Sequence, residues 1–166
     1  MKIIKLTLPE QIGKILTAQH LTLSVSESCT GGLLSSKLTD VAGSSNYIKL
    51  NFVTYCNEAK HKILGVSEST LQKFGAVSQE CSIEMAQGLH NVTGSDICIS
   101  TTGTAGPTGA DGKPAGVMFS TIYGLGKQLS FEVNLPENTP RIKMKEQFAD
   151  AVLNKLYEFL QQNCQS

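Results

Sequence analysis

Two kinds of hydrophobic spacing alternate along this chain, and the alternation limits it to folds that interleave strands with helices. Leu21 to Ser26 switches between apolar and polar residues with the two-residue period of a strand. Cys29 to Val41 then returns to helical spacing through Leu33, Leu34 and Leu38, and a second β-rich run, Ile48 to Tyr55, follows the turn-forming Gly43-Ser44-Ser45-Asn46. The spacing therefore predicts a strand-helix-strand unit, preceded by a helix after Pro9 that carries Ile12, Ile15 and Leu16. Asn57 to Leu64 reads as a short helix closed by Gly65, Ser67 opens another that Gly75 ends, and Ser78 to His90 supplies a longer one. Asp96 to Ser100 is a short strand running into the glycine-rich stretch Gly103 to Gly116, a long loop. Val117 to Tyr123 and Gln128 to Val133 alternate as a hairpin around Gly124-Leu125-Gly126, and Pro140 opens a terminal helix that runs toward Leu160. Together these elements predict an α/β fold, a three-layer α/β/α sandwich around a mixed, mostly parallel sheet of about five strands. At 166 residues the whole chain, 1–166, fits a single domain.

Charge and composition narrow the function. Fourteen Lys and Arg balance fourteen Asp and Glu, so no broad field exists to hold a nucleic acid or an anionic membrane surface. Aromatic residues make up 6% with no Trp, too few for a base-stacking platform, whereas 15 glycines suit tight loops around a small ligand. Met1 to Leu8 is too short and too interrupted for a signal-peptide core, and no apolar run is long enough to span a membrane, so a cytoplasmic chain is expected. The five cysteines, Cys29, Cys56, Cys81, Cys98 and Cys164, fit neither a disulfide framework nor a zinc pattern. His20, His61 and His90 have no metal-ligand spacing either. Neither a metal nor a cofactor is expected. Gly112-Lys113-Pro114 is not a phosphate-binding P-loop, and Gly124-Leu125-Gly126 does not continue into a dinucleotide fingerprint.

Ligands of open α/β sheets sit beyond the carboxyl ends of the strands, which directs attention to the loops after Ser26, Tyr55 and Ser100. In the first, Ser26-Glu27-Ser28-Cys29-Thr30-Gly31-Gly32, a strand gives way to a helix through hydroxyl, thiol and glycine residues. A nucleophile there would lie at the positive end of a helix, with backbone N–H groups nearby to hold an oxyanion. A simple helix cap at Ser28 or Thr30 accounts for the same residues. Ser28 and Cys29 both stand as the attacking atom, and a thiol at a helix N-terminus is the more readily ionised of the two. Serine needs a base, and Lys60 leads the candidates, on a turn that Asn57 would cap. A lysine can act so only if burial holds its pKa far below the reference of about 10.4; the alternative is an ordinary solvated lysine. Tyr55 ends the strand before it. The third loop, Ser100 to Gly109, offers hydroxyls and a possible nest of N–H groups for a phosphate, or else a disordered surface loop.

Glu27-Ser28-Cys29-Thr30-Gly31-Gly32, Ala42-Gly43-Ser44-Ser45, Phe52-Val53-Thr54-Tyr55 with Asn57-Glu58-Ala59-Lys60, Gly75-Ala76-Val77-Ser78 and Ala105-Gly106-Pro107 occur in that order. In this the chain resembles the CinA C-terminal family, which includes nicotinamide-nucleotide amidases that hydrolyse nicotinamide mononucleotide (NMN) to nicotinate mononucleotide and ammonia. The resemblance implies Ser28 as nucleophile, Lys60 as general base and Tyr55 as a helper that orients the lysine or carries its proton. It implies a nucleotide pocket that takes in Cys29, Thr30, Gly31, Gly32, Ser44 and Ser45, with Thr102, Gly103, Thr104, Ala105 and Gly106 from the glycine-rich loop. Arg141 would hold the phosphate, its fork of donors being suited to that group. Where family members often carry Gly-Asp-Arg, this chain has Thr139-Pro140-Arg141, with Lys145 as the following basic position. The family domain also occurs behind a larger N-terminal domain, and this chain reads as the domain standing alone. The resemblance further implies a homodimer that uses no cofactor. Two other expectations stay beside it: a catalytically idle pyridine-nucleotide-binding or sensing domain, and a thiol redox protein working through Cys29.

Overall fold

The computed structural model describes residues 5–164; part of the segment Met1 to Leu8 discussed above lies outside them. Twelve elements follow in chain order, the first five being α1 (Leu8–Ala18), β1 (Leu23–Glu27), α2 (Leu33–Thr39), a 3-10 turn (Ser44–Asn46) and β2 (Phe52–Val53). Then come α3 (Asn57–Leu64), α4 (Glu68–Phe74), α5 (Gln79–Thr93), β3 (Ile97–Gly103), β4 (Val117–Gly124), β5 (Lys127–Asn134) and α6 (Arg141–Asn163). The sheet has five strands in the order β2-β1-β3-β4-β5. Alternate strand residues point to opposite faces. Leu23, Val25, Ile97 and Ile99 pack with Ile12 and Leu16 of α1, Leu34 and Leu38 of α2, and the apolar stripe of α6. Cys98, between Ile97 and Ile99, packs instead with Leu64 of α3 and with Cys81, Met85 and Leu89 of α5. Met144, Phe148, Val152 and Leu156 of α6 are fully buried, each contributing about 1.5–3 kcal/mol by removal from water.

The expected mostly parallel sheet is corrected. β1 pairs in parallel with β2 and with β3, whereas β3 with β4 and β4 with β5 are antiparallel. Parallel neighbours need a crossover, usually a helix. The stretch between β3 and β4 contains none, so β4 returns alongside β3 in the opposite direction.

Three local boundaries also differ from expectation. The second strand is only Phe52–Val53, with a lone bridge from Ile48 to Leu23. Side chains replace the ladder between them: Asn51 Oδ1 accepts the Val25 N–H at 2.9 Å, and Ser24 Oγ accepts the Leu50 N–H at 3.2 Å. The second helix starts at Leu33, not Cys29, because Gly31 and Gly32 take left-handed conformations (φ 59° and 96°) open to glycine at little cost. The cap of α3 is Cys56, not Asn57, which is already its first helical residue. Among the described residues no helix is long and apolar enough to cross a membrane.

Candidate active site

Strand register brings the distant motifs together. Glu27 lies opposite Val53 and Ser26 opposite Ser100, so the chain leaving β1 at Ser28 runs between Thr54-Tyr55 on one side and Thr101-Thr102 on the other. From Tyr55 the chain turns directly into α3, whose first turn carries Lys60 back over the same edge. Ser28 is 8% and Lys60 1% exposed. Lys60 Nζ lies 3.0 Å from Ser28 Oγ, 2.8 Å from the Thr54 carbonyl and 3.2 Å from the Tyr55 carbonyl. A neutral amine has two N–H bonds and one lone pair. As an ammonium Lys60 donates to Ser28 Oγ, whose own hydroxyl lies 3.5 Å from the Tyr55 carbonyl; as a neutral amine with its two N–H bonds on the carbonyls, it would turn its lone pair to the serine.

Burial holds the Lys60 pKa below its ordinary value. Cys29 and Cys81 supply no anion to oppose that shift at neutral pH, because burial pushes both thiols up to about 12; the Asp111 carboxylate does oppose it. The same burial bears unequally on the two adjacent nucleophile candidates. The Cys29 thiol, 5% exposed and beside the Glu27 carboxylate, is held protonated, whereas Ser28 has a base at hydrogen-bonding distance.

Glu27 was not a candidate in the sequence, and it changes the reading of the helix that follows. Its side chain is fully buried and accepts the N–H groups of Leu34 and Ser35, both at 2.9 Å, and the Ser35 hydroxyl at 2.5 Å. The carboxylate thus occupies the positive end of α2, the place expected for the nucleophile or for a Ser28 or Thr30 cap. Its distance in sequence from Leu34 matches no ordinary capping spacing; the only signal was an acidic residue ending a buried strand. Ser28 instead presents itself beside its own loop. Among the described residues the N–H groups of Cys29 and Thr30 donate to no protein acceptor; Cys29 lines the cavity, whereas Thr30 is fully buried.

A cavity of about 340 Å³ opens at this edge. Ser28, Cys29, Tyr55 and Lys60 line it, with Thr102 to Gly106 and Arg141. The glycine-rich loop is ordered by specific contacts. Thr102 Oγ1 donates to the Ala76 carbonyl at 2.7 Å, Thr104 Oγ1 to the Pro114 carbonyl at 2.9 Å, and Arg141 Nη1 to the Gly106 carbonyl at 2.6 Å. Arg141 Nη2 also reaches the Tyr55 hydroxyl at 3.1 Å, so it is the Tyr55 carbonyl that holds the lysine while its phenol faces the arginine.

Five of the other expected residues lie elsewhere. Thr30 is buried against Thr101, with hydroxyls 2.8 Å apart. Gly31 lies beneath Lys145 and Gly32 beside the Val53 side chain, outside the cavity lining. Ser44 and Ser45 sit in the 3-10 turn leading to Tyr47, whose carbonyl accepts the Leu23 N–H. That is the opposite end of β1 from Ser28, far enough along the strand that this chain's own Ser44 and Ser45 do not line the cavity. Asn57 and Asp111, which no motif singled out as binding residues, do line it.

Fold and site together define an α/β protein with a serine–lysine pair at the carboxyl edge of a mixed sheet. The CinA C-terminal domain family matches residues 5–160, and the chain belongs to that family. A CinA-like protein of Chlorobium limicola is 42% identical over 162 residues, covering 94% of this chain and 37% of that protein. Another, of Chloroherpeton thalassium, is 47% identical over 157 residues, covering 92% and 37%. The chain thus spans about 37% of the length of these curated relatives. The crystal structure of the CinA superfamily protein from Klebsiella pneumoniae 700603 superposes with a TM-score of 0.89 at 31% identity, covering 93% of this chain and 96% of that one. For competence/damage inducible protein CihA from Agrobacterium tumefaciens the TM-score is 0.84 at 33% identity, with 94% and 97% covered.

Proposed function

We propose that this chain is a nicotinamide-nucleotide amidase, hydrolysing the carboxamide of NMN to nicotinate mononucleotide and ammonia. The observation that carries the reading is the 3.0 Å approach of the buried Lys60 amine to Ser28 Oγ. Lys60 takes the serine proton as Oγ attacks the carboxamide carbon, and the N–H group of Cys29, on the cavity lining, is offered to the oxyanion. Collapse of the tetrahedral intermediate breaks the carbon–nitrogen bond. Lys60 returns its proton to the departing nitrogen, which leaves as ammonia. Water, deprotonated by the same amine, then attacks the acyl-serine and frees the carboxylate and Ser28. Arg141, exposed at the rim beside the glycine-rich loop, is the group offered to the phosphate, a source of binding energy remote from the reacting bond.

Ammonia release from NMN and from free nicotinamide, each incubated with the purified chain, tests the proposal. Release from the nucleotide alone is expected. NMN bound stoichiometrically in calorimetry with no ammonia released would transfer the chain to the idle nucleotide-binding class, and no binding would end both readings.

A further inference from the structure

The cavity has an acidic side chain on its wall that the proposed reaction does not use. Asp111 lies at the tip of a small hairpin within the glycine-rich loop, closed by reciprocal hydrogen bonds between Ala110 and Lys113. Asp111 and Gly112 both have positive φ, 52° and 72°, the Asp-Gly combination of a tight reversed turn. The carboxylate is held from across the cavity wall: its Oδ2 accepts the Val77 N–H at 2.9 Å. Gly75 gives it room, since a Cβ there would come within 2.7 Å of Asp111 Cβ and Cγ. No lysine, arginine or histidine among the described residues pairs with it. The other ionisable lysine, arginine or acidic side chains on the lining are Lys60 and Arg141, both basic. Asp111 is near enough to Lys60 for its negative charge to favour the ammonium form.

We infer that Asp111 is a specificity-determining residue whose unpaired, pre-positioned carboxylate selects a substrate with a positively charged ring beside the scissile carboxamide. The inference rests on the amidase reading and gives that site a chemical preference. In NMN the pyridine nitrogen bears the ribose and is therefore cationic. Asp111 is exposed before a ligand enters; a ring seated against it in the cavity displaces water from between them, so the carboxylate attracts a cationic ring more than a neutral one of the same shape. Hydrolysis then converts the ring's carboxamide to a carboxylate, and its repulsion by Asp111 favours departure of the product over departure of the substrate.

The test compares two ligands alike in carboxamide, ribose and phosphate: NMN and its reduced 1,4-dihydropyridine form, whose ring is uncharged. Dissociation constants are measured by calorimetry on Ser28→Ala, which stops turnover, with and without Asp111→Asn. Asparagine keeps an oxygen to accept the Val77 N–H, so the loop stays pinned while the charge is removed. NMN affinity is expected to fall about tenfold in Asp111→Asn while affinity for the reduced form changes less than about twofold. Equal loss for both ligands assigns Asp111 a purely structural role and overturns the inference, as does no change for either. If the Ser28→Ala protein does not fold, inhibition of ammonia release by the reduced form, with Ser28 intact, yields the same ratio. Turnover of NMN with an unaltered preference sinks this inference alone; absence of NMN turnover and binding in the unmodified chain sinks the amidase reading with it.

Discussion

In the parallel half of the sheet, β2, β1 and β3 all run toward one edge, and each passes there into a loop that carries site residues. In the antiparallel half, β4 and β5 turn back on one another at Gly124 to Gly126, and β5 alternates half-buried with exposed residues from Phe131 to Asn134. The first half buries Ser24, Ser26, Glu27, Thr54, Ser100 and Thr101, an expensive interior unless every polar group has a partner. Those partners are found: Ser26 on Thr54, Ser24 on Ser95, Ser100 on the Ser82 carbonyl. Parallel strands align their carboxyl ends and so concentrate polar chemistry on one edge; a hairpin spends the same hydrogen bonds on shape.

Substitutions that separate the halves test this division. Ser28→Ala and Lys60→Met, in the parallel half, are expected to cut ammonia release from NMN by about 10³-fold or more with far-ultraviolet circular dichroism unchanged. Residual activity within tenfold of the parent would refute the serine–lysine mechanism. In the antiparallel half, Ile122→Ala removes a fully buried side chain of β4 and should cost about 2–5 kcal/mol in urea unfolding, with KM for NMN unaltered in the folded protein. A changed KM would show that the hairpin shapes the cleft.

Glu27→Gln should cost about 1–3 kcal/mol, because an amide presents only one acceptor to the Leu34, Ser35 and Ser35 hydroxyl donors. It should also lower kcat by loosening the turn at Gly31-Gly32, and an unchanged kcat would assign Glu27 to stability alone. The smallest effect concerns pH. With its folded pKa depressed, Lys60 is neutral in the folded chain and protonated in the unfolded one between the depressed value and about 10.4. The unfolded state binds the extra proton there, so the native chain should gain stability over Lys60→Met as pH rises through that window. Below the window both states are protonated and the full cost of the buried ammonium remains. A stability difference independent of pH would mean that Lys60 is not desolvated. The same titration predicts that ammonia release falls as pH drops through the depressed value, because the protonated amine cannot accept the serine proton.

Much of this architecture was legible from residues 21 to 160 because periodicity and caps are local. Ser67 and Ser78 accept the Thr70 and Cys81 N–H groups as helix-opening serines do, and the hairpin turns at the predicted glycines. The sheet's mixed direction was not legible, since the pattern of a strand does not say which neighbour it will take. Nor was the charge state of Cys29: the end of a helix suggested an easily ionised thiol, but Glu27 fills that end and burial raises the thiol instead.

What the sequence by itself determined is the order of strands and helices and the residue types delivered at each strand's end, because these follow from hydrophobic spacing and backbone preference within a few neighbours. Only the tertiary structure decided that Ser28 meets Lys60, that Glu27 caps α2, that Asp111 reaches Val77 and that Ser44 and Ser45 do not line the cavity. Each of those outcomes depends on which strands pair and in what register, and pairing is settled by burial across the whole molecule, which no short stretch of the chain can encode alone.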